Sequence, residues 1–307
     1  MIGRERAYHG VGFGGISVGG MAANRKAFAT AMLPGVDHLP HTWNLSQMAF
    51  SRGQPTWGLH LADELERIVA LHDASTIAAV IVEPVQGSTG VLVPPVGYLE
   101  RLREICTRHG ILLIFDEVIT GFGRLGANFG AQRFGVVPDM IAFAKGVTNG
   151  AIPLGGVVVR HDIYENFMKP QAPEYAVELF HGYTYSGHPI AAAVGLATLD
   201  IYEQEGMFQR ARELEPVFEA ALHTLKGEPG VVDVRNFGLA AGVDLEAFDG
   251  QPGRRAFKVF EHGFAHDQLF RFTSDTIAMG PPFISTTAEI ERMIEQLRTA
   301  IRAVRPD

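Results

Sequence analysis

Ile111-Leu112-Leu113-Ile114-Phe115-Asp116-Glu117-Val118-Ile119-Thr120-Gly121 is the stretch whose reading decides the fold. Five consecutive apolar residues end abruptly at two carboxylates. An unbroken apolar run of this length, with no alternation, reads as a strand buried on both faces, as in a parallel sheet. Upstream, Tyr98, Leu99, Leu102, Ile105 and Cys106 recur at helical spacing, and Gly110 follows as the expected left-handed cap. Before that, residues 77–82 form a second apolar run, closed by Glu83-Pro84. Downstream, residues 140–144 make a third run, stopped by Lys145-Gly146, and residues 155–159 a fourth. Strand, helix and strand in this order predict an α/β fold: a mainly parallel sheet with helices on both faces.

Further out the pattern weakens. Residues 1–58 are rich in Gly, His and Pro and read as loops with short elements. Leu61, Leu65, Ile68 and Val69 predict a helix ending near His72. After Pro189, the small residues Ala191, Ala192, Ala193, Gly195 and Ala197 predict a closely packing helix, and Gly206 marks a boundary. The remainder reads as a smaller α+β domain, ending in a helix that carries Ile290, Met293, Ile294, Leu297 and Ile301 on one face. The expected division is therefore 1–205, a large α/β domain, and 206–307, a C-terminal small domain.

The chain has 307 residues, 47% of them hydrophobic and 20% charged, with a formal charge of −8. Such a composition supports a packed core and argues against a polyanion-binding surface, so neither nucleic acid nor membrane is expected as a partner. A single cysteine, Cys106, excludes an internal disulfide framework, and Arg4 and Arg6 are followed by no apolar leader segment. A cytoplasmic location is expected.

Glu83, Asp116 and Lys145 each stand just past the end of an apolar strand, where side chains of a parallel sheet converge on a ligand crevice. A carboxylate there can hold a pyridine nitrogen protonated, and a lysine of lowered pKa can form an imine with an aldehyde. On spacing alone, polar residues that merely end strands are the commoner reading.

The surrounding residues change that balance. Residues 82–87 (VEPVQG), 115–124 (FDEVITGFGR), 144–150 (AKGVTNG) and 181–189 (HGYTYSGHP) closely resemble the class III pyridoxal-phosphate-dependent aminotransferases. Residues 7–11 (AYHGV) and 271–276 (RFTSDT) extend the likeness to the omega-amino acid (beta-alanine):pyruvate branch. The resemblance implies the type I pyridoxal-phosphate transferase fold, with 1–205 as an incomplete large cofactor-binding domain and 206–307 as the C-terminal small domain. It also implies transfer of an amino group from an omega-amino acid or amine to pyruvate or a similar keto acid. It makes Lys145 the Schiff-base lysine and proton carrier, and Asp116 the partner of the pyridinium nitrogen. Tyr8 and Val118 would sandwich the ring, and Glu83 would belong to the same pocket. Thr184 would give its hydroxyl to the cofactor phosphate of a neighbouring subunit, so a homodimer, or a dimer of dimers, with shared sites is expected. Arg271 would bind the substrate carboxylate. An aminomutase or decarboxylase of the same fold, or an inactive fragment, is the alternative. The family's earlier glycine/serine-rich phosphate-binding segment has no counterpart in this sequence, so weak cofactor retention, poor solubility and little activity are expected of it.

Other motifs are set aside. Gly10-Val11-Gly12-Phe13-Gly14-Gly15 fits a dinucleotide fingerprint, but the polar residues before it do not read as a strand. Gly15-Ile16-Ser17-Val18-Gly19 fits a nucleophile elbow and is likewise preceded by glycines, leaving a serine hydrolase as a distant rival. His38 and His41 have no accompanying ligands, so no metal is expected, and the sequon at Asn44 carries no weight in a cytosolic chain.

Overall fold

The computed structural model describes residues 1–168 and 179–305. A six-stranded sheet runs in the order β2-β1-β3-β4-β5-β6. Its strands are β1 (Ile2–Arg4), β2 (Asp37–Leu39), β3 (Ala79–Val82), β4 (Leu112–Asp116), β5 (Met140–Phe143) and β6 (Gly156–Val159). The first five are parallel to their neighbours, whereas β6 pairs antiparallel with β5. β6 follows a short connection rather than a crossover helix, which only an antiparallel partner permits.

The apolar runs form β3, β4 and β5 as read, because their Val, Ile, Leu and Phe side chains leave water on both faces of the sheet. The helix Tyr98–His109 covers them with Tyr98, Leu99, Leu102, Ile105 and Cys106, all buried, and ends at Gly110 with φ +66°. The short elements expected within residues 1–58 include two strands of this sheet. β1 and β2 lie inside the sheet although each is only three residues long, too short to set up a readable alternation. A strand therefore does precede the glycine-rich turn, contrary to the sequence reading, and a six-residue helix (Phe13–Val18) follows it.

A second sheet has the order β7-β8-β10-β9, all antiparallel. Its strands are β7 (Val231–Phe237), β8 (Ala240–Leu245), β9 (Arg271–Thr273) and β10 (Thr276–Met279). Helices Met207–Leu222, Arg254–Phe264 and Thr287–Ala303 pack on it, burying Phe218, Val259, Ile294 and Leu297. Thr286 and Glu289 close the last helix's N-terminus with a reciprocal capping box. Each sheet thus has its own apolar core.

Polar ties join the two. The Arg124 Nη1 donates to the Leu239 and Pro281 carbonyls at 3.0 and 2.9 Å, with its guanidinium 4.9 Å from the Phe283 ring centroid. The buried Arg235 ion-pairs with Asp233 and Asp244 on β7 and β8 and donates to the Gly90 and Val91 carbonyls of the loop after β3. A Cβ on Gly242 would stand 2.3 Å from the Gly90 oxygen, so only glycine admits that approach. Among the described residues no helix is long and apolar enough to cross a membrane.

Candidate active site

Because β1, β3, β4 and β5 are parallel neighbours, their carboxyl ends lie along one edge of the sheet. The residues that follow those ends are Tyr8 and His9, Glu83, Asp116 and Val118, and Lys145. Four separate segments of sequence thereby meet, which is how an open α/β sheet builds a site.

Glu83 is buried and ties two of these segments together. Its Oε1 accepts from the Tyr8 N–H at 2.8 Å, and its Oε2 from the Gly87 N–H at 3.1 Å. The Arg4 guanidinium, buried within β1, donates to the Glu83 carbonyl at 2.7 Å. Burial pushes the Glu83 carboxyl above its ordinary range, against the opposing pull of His9, the Tyr8 N–H and Arg4.

Asp116 ends β4 with its carboxylate held at both oxygens. The His9 Nδ1 lies 2.8 Å from Oδ2, and the Val118 N–H donates to Oδ1 at 3.1 Å. A ring nitrogen facing a carboxylate donates its proton, so Nδ1 carries the hydrogen. The His9 Nε2 is buried and has no hydrogen-bond partner among the described residues. An orphaned polar atom beside a buried carboxylate marks a place for a further polar group.

Lys145 opens a short 3-10 turn directly after β5, in the left-handed region at φ +49°. For a residue other than glycine that conformation is strained, and such strain gathers at functional positions. Desolvation lowers the lysine's pKa, Arg271 lowers it further, and Asp116 and Glu83 oppose the shift. Those influences show that the amine lies within electrostatic reach of all three residues. Its neutral, nucleophilic form is accordingly favoured at lower pH than in free lysine.

Two cavities adjoin the cluster. The larger, of about 590 Å³, lies between the sheets and carries Arg271 with Val85, Ile119, Leu125 and Met279 in its wall. The other, of about 500 Å³, is lined by Val118, Phe122, Lys145, Tyr202 and Phe283. Ile119 and Arg124 belong to both.

The expected residues Tyr8, Glu83, Asp116, Val118 and Lys145 therefore share one sheet edge. Arg271, exposed at the start of β9, reaches Lys145 electrostatically from the second sheet. Thr184 is not brought to the group within this chain and lies on residues 181–187, all of them exposed. His9 escaped sequence reading, although it adjoins Tyr8; a histidine in a loop gives no sign of the strand end it will face. Glu117, beside Asp116, has a different task. Fully buried, it accepts from the Thr120 hydroxyl and from the N–H groups of Gly130 and Ala131, capping the short helix Gly130–Phe134. Ser17 lies within a helix, donating to the Phe13 carbonyl and accepting from the Leu33 N–H, and does not sit on a strand-to-helix elbow. Among the described residues there is no group of three or more potential metal ligands.

A buried carboxylate and a desolvated lysine at adjacent parallel strand ends suit the two ends of a pyridoxal ring, its nitrogen and its aldehyde. Such an arrangement is the kind that a pyridoxal-phosphate transferase would need at its strand ends. The comparisons agree. The sequence profile described as "Aminotransferase class-III" matches residues 1–301, and the chain belongs to that family of pyridoxal-phosphate-dependent aminotransferases.

The chain is 58% identical to an "Omega-aminotransferase" of Caulobacter vibrioides over 99% of its own length and 69% of the relative's. It is 52% identical to a "Beta-alanine--pyruvate aminotransferase" of Pseudomonas aeruginosa, over 99% of this chain and 67% of that one. Among solved structures, a transaminase with L-alanine superposes with a TM-score of 0.91 at 31% identity, over 98% of this chain and 72% of that one. An amine transaminase from an uncultivated Pseudomonas species, in PLP-bound form, gives 0.87 at 36%, over 98% and 69%. The chain thus spans about two thirds of the length of these relatives.

Proposed function

We propose that this chain carries the centre of an omega-amino acid:pyruvate transaminase, moving an amino group from an omega-amino acid such as beta-alanine, or from an amine, to pyruvate or a similar keto acid. The names of the relatives supply the substrate class. One observation carries the assignment to these residues: Glu83, Asp116 and Lys145 stand at the carboxyl ends of three neighbouring parallel strands, β3, β4 and β5. Pyridoxal phosphate, when bound, supplies the aldehyde that takes up nitrogen and the ring that withdraws electrons.

The protein's residues do the rest. The Lys145 Nζ holds the cofactor and then carries the proton between substrate carbon and cofactor. The Asp116 carboxylate, oriented by His9 and by the Val118 N–H, faces the ring nitrogen and favours its protonated form. Tyr8 and Val118 would hold the ring between them. Arg271 pairs its planar guanidinium with the substrate carboxylate through parallel hydrogen bonds. The relatives named are aminotransferases, so the mutase and decarboxylase alternatives are not favoured.

We also propose the division into 1–205 and 206–307, a cytoplasmic location, and a homodimer or dimer of dimers in which Thr184 serves a partner's cofactor phosphate. Exposed apolar side chains support the association: Val157 is 61%, Phe180 88% and Tyr185 85% accessible, and apolar surface of this kind is normally covered. Sedimentation equilibrium checks it; a chain that stays monomeric at high concentration removes the shared site.

Borohydride reduction in the presence of pyridoxal phosphate, followed by peptide mapping, tests the central assignment. The label is expected on Lys145, together with amine-to-pyruvate exchange. Label on Lys26, Lys226 or Lys258 instead would overturn the role of Lys145.

A further inference from the structure

Lys145 has φ +49°, and a residue other than glycine keeps that strained conformation only where its surroundings hold it. The turn it opens, Lys145–Thr148, is gripped by two elements. Phe122, from the segment after β4, packs so closely that a Cβ on Gly146 would lie 2.7 Å from the Phe122 Cβ. The helix Pro189–Gln204 approaches from elsewhere, and a Cβ on its Gly195 would stand 3.7 Å from the Val147 carbonyl oxygen. Near the end of that helix the Tyr202 hydroxyl donates to the Gly146 carbonyl at 2.7 Å, across 56 residues of chain.

Inside the turn the Gly146 carbonyl also accepts from the Asn149 N–H at 3.2 Å, and the Lys145 carbonyl from the Gly150 N–H at 3.2 Å. Apolar packing limits where the turn can lie, whereas a directional bond to one carbonyl also fixes how it is rotated. Tyr202 is half-buried and lines the cavity of about 500 Å³ together with Lys145. Burial pushes its phenol above the ordinary range, with Arg124 opposing, so at neutral pH the hydroxyl is protonated and donates.

We propose that Tyr202 is a positioning residue: its hydroxyl, acting through the Gly146 carbonyl, holds the strained Lys145 turn so that the amine faces the strand-end cluster. The inference rests on the assignment of Lys145 as the imine-forming lysine. The charged groups acting on that amine are Arg271 on β9, Asp116 at the end of β4 and Glu83 after β3, while Arg124 and Glu205 line the cavity beside it. Tyr202 bonds a backbone atom, so its influence on the amine passes through the turn. A turn that swings free takes the amine away from Arg271 and from the protein wall, the two influences that hold its pKa down.

The test compares the full chain with Tyr202→Phe, both free of cofactor. Each is acetylated with a trace of acetic anhydride over a range of pH, and every lysine is followed by peptide mass spectrometry. The exposed Lys26 serves as internal reference. In the parent, Lys145 is expected to titrate below Lys26. In Tyr202→Phe its midpoint should rise toward that of Lys26 by about one pKa unit, so that its reactivity at neutral pH falls roughly tenfold. Exchange of the Asn149 and Gly150 amide hydrogens should quicken in the same variant. An unmoved Lys145 midpoint overturns the proposal. A variant in which Lys26 changes as much as Lys145 has loosened as a whole, and overturns it too. A parent in which Lys145 titrates with Lys26 overturns it whether or not the variant folds. Borohydride trapping of pyridoxal phosphate on a different lysine would instead remove the assignment beneath the proposal, a result read independently of the titration.

Discussion

His9 and Arg271 govern the candidate site at the scale of single residues. Removing the His9 ring leaves Asp116 Oδ2 without its partner, and the carboxylate loses one of two bonds that aim it. A hydrogen bond to a charged group contributes about 1.5–3 kcal/mol, so His9→Ala is expected to weaken pyridoxal phosphate binding by roughly tenfold or more. Titration of the cofactor by fluorescence reads this directly. His9→Asn, whose amide can still donate, should recover part of the affinity; unchanged binding in the alanine variant would remove His9 from the site. Arg271 belongs to the substrate side. Arg271→Ala should cost roughly 2–4 kcal/mol in turnover with beta-alanine and spare an uncarboxylated amine half-reaction. If both donors suffer alike, the arginine does not hold the carboxylate.

At the scale of elements, the segment after β4 is positioned by Glu117. Its carboxyl oxygens receive three donors, two of them backbone N–H groups at the start of the helix Gly130–Phe134. The helix can approach because position 130 is glycine: a Cβ there would lie 2.9 Å from Glu117 Oε2. Glu117→Ala therefore strands buried donors, and a loss of about 2–4 kcal/mol is expected in chemical denaturation. Glu117→Gln keeps an acceptor oxygen and should restore more than half of it. An alanine variant as stable as the parent would show that the cap does not hold the turn.

For the whole molecule, Arg235 is the most deeply engaged of the polar ties that, with Arg124, couple the two cores. The loop after β3, which begins with Glu83, is held to β7 and β8 by its guanidinium, and Asp244 Oδ1 also accepts from Thr276 at 2.6 Å. Asp233 in turn accepts from the Phe50 N–H at 2.6 Å. Arg235→Leu leaves two buried carboxylates without their cation, a change that costs roughly 3–5 kcal/mol. Scanning calorimetry is expected to show one transition in the parent splitting into two in the variant, as the sheets melt apart. Arg235→Lys, a point charge without the fork, should fall between them. A single unshifted transition in Arg235→Leu would mean that other contacts couple the cores.

By itself the sequence determined the three central parallel strands, the helix between β3 and β4, and the charged residues at the strand ends. Those features are written in local patterns: unbroken apolar runs, a period near 3.6, and a glycine where a helix must stop. The residue motifs around Lys145 and Asp116 carried the family as well. Only the tertiary structure decided the rest, because those contacts join residues far apart in the chain. β1 and β2 are too short to show a period and exist because β3 offers an edge to β1, and β1 in turn an edge to β2. His9 meets Asp116 across 107 residues, and Arg235 meets Gly90 across 145. No window of sequence contains both partners, and it is the course of the backbone that brings each pair within hydrogen-bonding distance.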